Sequence, residues 1–234
     1  MAASNAQTNS LDLPRKFFFH GQLQHLLFIL ALVPGALYLA EPALQEGAWM
    51  GFSARQWLHA MLAVAVLHQL VVALVFRGQL VFSAMTRIFG RYDLTAWGIL
   101  FMPFLLLRVI TLAGLGLATQ HSLELHQGIA LPAGILLLVP ALYTIWSVFR
   151  YFGLARALGG DHFRQKYREM PLVKKGAFRY SSNAMYAFAF LLLWAIALFT
   201  RSQAALAGAL FQHAYIWVHW YCTEKPDMEK IFPE

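Results

Sequence analysis

The side chains able to bind a ligand or move a proton gather in three short stretches of an otherwise apolar chain. In the first, Gly153, Gly159 and Gly160 run into Asp161 and His162. Glycine has no Cβ, so a ligand or another backbone can come close there. In the second, Ser181, Ser182 and Asn183 are good helix caps. The free N–H groups of the helix they open suit a carboxylate or phosphate. Asn183 and Tyr186, three apart, share a face of that helix. In the third, Glu224 offers a carboxylate suited to ribose hydroxyls or to a cation. Asp161, His162 and His219 are the candidates for proton transfer. His219 follows Tyr215 by four and precedes Cys222 by three, so α-helical spacing puts them on one face, able to line a cleft. The same residue types also serve as caps, as a glycine-terminated helix, as an interfacial Glu224–Lys225 pair and as interhelical hydrogen bonds. On residue type alone both readings stand.

Several other chemistries find no support. There is no glycine-rich strand-to-helix turn, no P-loop and no His-Glu-x-x-His. Gly114 and Gly116 lie mid-span, where small residues serve close helix packing. His59 and His68, nine apart, fall on opposite faces of one helix, and His213 and His219 also diverge. No single span therefore presents a metal- or haem-binding pair, and no metal site is expected; ligation between spans stays open. Arg108 falls near the centre of its span, where a charge is costly and faces the protein interior. No carboxylate lies at matching depth, which leaves a tie to carbonyls or a role in a site.

The elements that must position these residues are membrane helices. Of the 234 residues, 59% are hydrophobic and 12% charged; a soluble domain carries about 25% charged residues, so this surface faces something other than water. Apolar stretches run over Leu23–Ala40, Gln56–Phe76, Trp97–Ala118, Gly128–Phe152, Tyr186–Phe199 and Ala204–Cys222. A bilayer requires about 20 such residues per helix. The expected fold is an all-α, polytopic transmembrane bundle of about six spans, the last two forming a hairpin. Pro34, Pro103 and Pro140 lie inside spans and predict kinks, since neighbours can satisfy the freed carbonyls.

The 18 Lys and Arg sort by side. With the N-terminus inside, only Arg55 and Arg201 fall outside, Arg108 lies within a span, and every other basic residue is inside. This positive-inside pattern places both termini in the cytoplasm. It also makes nucleic acid a poor explanation of the formal charge of +7. Leu80, Val81, Met85, Ile88 and Phe89 recur at helical spacing and predict an interfacial amphipathic helix. The loop from Gly153 to Ser182 is the most basic and suits anionic headgroups. Met1–Ser10 is polar and expected to be disordered; the run after Lys16 is too long for a cleaved signal and reads as the first span. Cys222 is alone, so no internal disulfide forms.

In this order, the three polar stretches resemble the phospholipid methyltransferase family, which includes phosphatidylethanolamine N-methyltransferase and is related to isoprenylcysteine carboxyl methyltransferase. Gly153 through Gly160-Asp161-His162-Phe163 is similar to the family's glycine motif ending in Gly-Asp-x-Phe. Asn183-Ala184-Met185-Tyr186 is similar to its Asn-Pro-Met-Tyr motif, with Ala184 in place of the proline. Glu224-Lys225-Pro226 with Phe232 is similar to its Glu-Glu-Pro motif and following aromatic, with Lys225 in place of the second acid. The resemblance spans about Leu131 to Phe232 and leaves out the first two spans.

It implies a membrane-embedded methyltransferase that uses S-adenosylmethionine. Gly153, Gly160, Glu224, Asn183 and Tyr186 would hold that cofactor. The acceptor would be a phospholipid amine such as phosphatidylethanolamine, reached from the cytoplasmic leaflet of a bacterial inner membrane. Its proton would leave through Asp161, His162 or His219. An isoprenylcysteine carboxylate or a small thiol is the alternative acceptor, and a haem-binding or non-catalytic membrane protein the alternative of another class. The chain divides accordingly into a polar segment 1–22, spans one to three over 23–127, and a methyltransferase-like core over 128–234.

Overall fold

The structure is a computed structural model that describes residues 11, 13–45 and 47–233; the segment Met1–Ser10, expected to be disordered, lies outside the described residues. Each apolar stretch is helical, as it must be where lipid offers the backbone no hydrogen bonds. The helices are α1 (Gln22–Ala40), α2 (Ala54–Phe82), α3 (Ala84–Phe89), α4 (Asp93–Ala118) and α5 (Gln127–Ser147). Short turns α6 (Leu154–Ala157), α7 (Gly160–Phe163) and α8 (Gln165–Arg168) follow, then α9 (Leu191–Thr200), α10 (Gln203–His219) and α11 (Lys225–Ile231). Among the described residues the only strands are a hairpin of β1 (Ala48–Trp49) and β2 (Phe52–Ser53).

Local signals set the boundaries. Ser53 and Gln56 form a capping box that starts α2, and the Ser202 hydroxyl accepts from the Ala205 N–H to start α10. The helices run through Pro34, Pro103 and Pro140. α2 continues past its expected end at Phe76 and stops at Ser83, which turns left-handed at φ 51°. Leu80 and Val81 therefore belong to α2, and the interfacial helix shrinks to α3, whose Ile88 and Phe89 are exposed.

Among the described residues, four helices are long and apolar enough to cross a bilayer: Arg15–Ala43, Ala54–Phe82, Ala84–Ala118 and Gln127–Phe152. Met185–Thr200 is a shorter apolar helix. The expected all-α membrane bundle is what the chain forms; the count of six adds the hairpin pair to these four.

α10 is the central helix, packed on α1, α2, α4 and α9, while α5 packs outside on α9. Its Ala204, Ala205, Ala207, Gly208 and Ala209 are buried, and small residues let helices approach closely. Gly114 sits against Trp57, Gly116 against Thr200, and Gly208 against Leu112 and Met61, so the mid-span glycines serve packing. The outer faces expose Leu23, Leu27, Leu30, Leu136, Val139 and Phe149, the surface that lipid covers. Contacts among Phe17, Arg77, Thr223 and Asp227, between Asp93 and Arg164, and between Tyr186 and Glu224 gather the polar helix ends at one end of the bundle. The exposed Lys166, Lys174, Lys175 and Arg179 belong to this basic end.

Candidate functional site

Each of the last three apolar segments carries a π-helical turn beside one of the polar stretches: Val148–Phe152, Met185–Ala189 and Trp220–Glu224. Such turns hold well under about 1% of residues in ordinary proteins and mark functional sites. They loosen the backbone ladder and turn side chains off the face that a 3.6-residue period assigns them.

Two of these turns meet directly. The Tyr186 hydroxyl donates a short hydrogen bond to Glu224 Oε1. His219 Nε2 lies 3.6 Å from the same oxygen, beyond hydrogen-bonding distance. Among the described residues neither His219 ring nitrogen has a hydrogen-bond partner, although the side chain is only 1% exposed. His25 of α1 stands beside it, with ring centroids 6.3 Å apart, and its Nε2 lies 2.8 Å from the Tyr215 hydroxyl. Trp217 meets the Tyr186 ring edge-on at 6.2 Å. The predicted residues Tyr186, His219 and Glu224 thus form one cluster. Glu224 faces inward to Tyr186, and the Lys225 amine lies over the Trp220 ring, so the expected Glu224–Lys225 pair is not formed.

Deeper in the bundle, Arg108 donates from Nε to Gln212 Oε1 at 2.8 Å, and its guanidinium lies 5.0 Å from the centre of the Phe190 ring. It is within electrostatic range of Tyr186 and Tyr215. Its partner is an amide, which a search for carboxylates passes over; Gln212, a lone amide in an apolar run, was the available signal. His68 is buried between Phe101 and Phe104, with no hydrogen-bond partner on either nitrogen among the described residues.

His162 belongs to a second cluster. Its Nδ1 lies 3.1 Å from Asp161 Oδ1 and its Nε2 3.3 Å from Asp227 Oδ2, and the ring stacks on Phe76 at 3.9 Å. Burial would depress the imidazolium, but the two carboxylates outweigh it and raise the pKa to about 9. Burial would likewise raise Asp161, but the bond to His162 holds it below the usual carboxylate value. Asp227 pairs with Arg77 of α2 at 2.6 Å, both side chains fully buried. Neither Arg77 nor Asp227 stood out in the sequence: Arg77 reads as a loop charge because the apolar run breaks before it, and Asp227 sits in a charged tail. Asp161 also lies within electrostatic range of Tyr186, which links the clusters.

The remaining predicted residues border this region. Gly153 ends the first π-turn at φ +90°, and nothing lies within 4 Å of where a Cβ would stand. Gly160 is different: a Cβ there would meet the Ala155 carbonyl at 2.6 Å and the Tyr167 ring at 2.7 Å, so the loop's own packing requires it. The Asn183 N–H donates to Ser181 Oγ at 3.1 Å and the Asn183 carbonyl accepts from Tyr186 and Ala187, so Ser181 is the capping side chain. A cavity of about 170 Å³ lies on another side of the last π-turn, lined by His20, Gly21, Gln24, Tyr221, Cys222 and Lys225. Cys222 is part of its wall, so in a π-turn the spacing of three from His219 no longer marks one shared face. Among the described residues, no three His, Cys, Asp or Glu are grouped to hold a metal ion.

Residues 129–234 match the family model of phospholipid methyltransferases. The resemblance carried by the three motifs holds over that region, which is less than half of the chain. No curated protein and no solved structure matches the chain. The matched region holds all three π-turns and Tyr186, His219 and Glu224. His25, Arg77 and Arg108, which touch or flank them, come from helices outside the matched residues.

Proposed function

We propose that the protein transfers a methyl group from S-adenosylmethionine to the amine of a phospholipid headgroup, phosphatidylethanolamine being the simplest such lipid. The carrying observation is the Tyr186–Glu224–His219 cluster, a carboxylate held by one hydroxyl beside a buried imidazole with both nitrogens unpartnered.

This donor set fits the cofactor. Glu224 has acceptor capacity beyond the Tyr186 bond, enough for ribose hydroxyls. The backbone at Gly153 stands beside open space. Gly153, Gly160, Asn183, Tyr186 and Glu224 would hold the cofactor, which supplies an electrophilic methyl group on a sulfonium. The chain's own residues then position, exclude water and take a proton. An ammonium must lose its proton before it can attack. His219 Nε2, free and 3.6 Å from Glu224, is the base we assign, with the carboxylate stabilising the imidazolium that forms. Asp161 is the second candidate. His162 has both nitrogens engaged by carboxylates and is assigned to holding the fold.

The basic end of the bundle faces the cytoplasm in this reading, with six spans, and the lipid comes sideways from the inner leaflet of a bacterial inner membrane. The test is transfer of labelled methyl from S-adenosylmethionine by the purified protein to a panel of phospholipids, isoprenylcysteine and small thiols. Label in the ethanolamine lipid supports the reading. Label only in the carboxylate or thiol moves the acceptor, and no cofactor binding by calorimetry at millimolar concentration overturns the assignment.

A further inference from the structure

A π-turn frees carbonyls that an α-helix would pair, and at Trp220–Glu224 a side chain from outside the matched region collects them. Arg77 Nη2 lies 3.4 Å from the Cys222 carbonyl and 3.3 Å from that of Thr223. Its Nη1 donates to the Phe17 carbonyl at 2.6 Å, its Nε meets Asp227 Oδ1 at 2.6 Å, and its guanidinium lies 4.2 Å from the centre of the Phe17 ring. A guanidinium has five donors in a rigid fork, and here the fork spans the turn, the helix after it and the chain before α1. Gln22 adds a 3.4 Å bond to the Thr223 hydroxyl, and Gly21 packs on the Cys222 backbone. Asp227, the far end of the fork, is held in turn by His162 of the glycine stretch.

We propose that Arg77 is a positioning residue for the cofactor site: it fixes the π-turn Trp220–Glu224 from behind, so that Glu224 is presented to Tyr186 and His219. The inference rests on the reading of Glu224 as a cofactor ligand. A lysine at position 77 keeps the charge opposite Asp227 but cannot reach both turn carbonyls and Phe17 at once.

The experiment uses Arg77→Lys, Glu224→Gln and the double variant of the full chain in detergent, with two readouts. Hydrogen exchange should speed up about tenfold at the amides of residues 220–224 in Arg77→Lys, with the amides of α5 unchanged. The dissociation constant for S-adenosylmethionine should rise about tenfold, and Glu224→Gln should weaken binding less in the Arg77→Lys background than alone, because coupled residues are not additive. Unchanged exchange at the turn, unchanged affinity or fully additive losses each overturn the proposal. If the unaltered protein binds no S-adenosylmethionine, the functional reading fails, and with it the cofactor role, while the exchange result still decides whether Arg77 holds the turn. Should Arg77→Lys not be recovered folded, Asp227→Asn is nearly isosteric and carries the same two readouts, with unchanged exchange overturning the proposal.

Discussion

Asp161, His162, Asp227 and Arg77 pair among themselves, carboxylate to imidazolium and carboxylate to guanidinium, with His162, Asp227 and Arg77 fully buried. A few residues away, Tyr186 and Glu224 share one bond while His219 keeps both nitrogens unpartnered. In the first cluster the charges are matched to one another. In the second, the buried His219 nitrogens have no hydrogen-bond partner among the described residues, at about 1–3 kcal/mol each, which is the ground for assigning that group to a ligand. Two histidines that look equivalent in sequence thus separate by the company each keeps.

The sharpest way to break this contrast is to remove His219. In His219→Leu, methyl transfer is expected to fall by about 10²–10⁴-fold, the usual range for a general base. Stability without cofactor should change by less than about 1 kcal/mol, since an unpartnered buried polar group is being replaced by an apolar one. A large loss of thermal stability with retained activity would reverse the two assignments.

Asp227→Ala acts on the other side. It strands Arg77 and removes one carboxylate from His162, and breaking a buried pair costs about 3–5 kcal/mol. Denaturant unfolding in detergent measures it. The same cluster gives a pH dependence of known sign. His162 has its folded pKa raised from 6.5 to about 9, so its contribution is fully present below 6.5 and is lost as pH rises through about 9. Asp161 has its pKa lowered, so its contribution is present above 3.8 and lost as pH falls. Melting temperatures from pH 6 to 9.5 should fall for the unaltered chain, and His162→Asn should flatten that slope.

Glu224→Gln keeps size and an acceptor for Tyr186 but loses the charge. Cofactor affinity should fall roughly tenfold, equivalent to 1.4 kcal/mol, and stability by about 1 kcal/mol. Unchanged affinity in a calorimetric titration removes Glu224 from the site. The smallest effect on affinity is expected at Gly153→Ala: backbone at φ 90° and ψ 136° is open essentially to glycine, so alanine costs about 1–3 kcal/mol of stability, while the added methyl projects into the open space beside the turn. Melting temperature should drop clearly and cofactor affinity only slightly.

Much of the fold was legible because lipid makes the code simple. Runs of apolar residues gave every long helix, and the charge asymmetry gave an end-to-end order that the contacts at the basic end agree with. The motifs led to Tyr186 and Glu224 and helical spacing to His219, and the three do come together. What sequence reading missed follows from its assumption of a constant α-period. A π-turn has no composition of its own, so the wheel that joined Tyr215, His219 and Cys222 failed at Trp220. Arg77 falls among the inside loop charges on sequence because hydropathy counts the charge and not the partners that let it be buried. His25 and Gln212 needed contacts across helices far apart in the chain, which a single sequence does not record.

The π-turns also set which genetic changes this protein can absorb. Each closes its ring one residue later than an α-turn, as a helix does when a single codon has been inserted into it. Deleting Thr223 would let the segment relax to α and swing everything after it by about 100° about the helix axis. Asp227 would leave Arg77, and the bond that Arg77 makes to the 223 carbonyl would go with the residue. Substitutions around Glu224 should therefore grade the activity, whereas one-codon deletions between Trp220 and Glu224 should abolish both the site and its backing together.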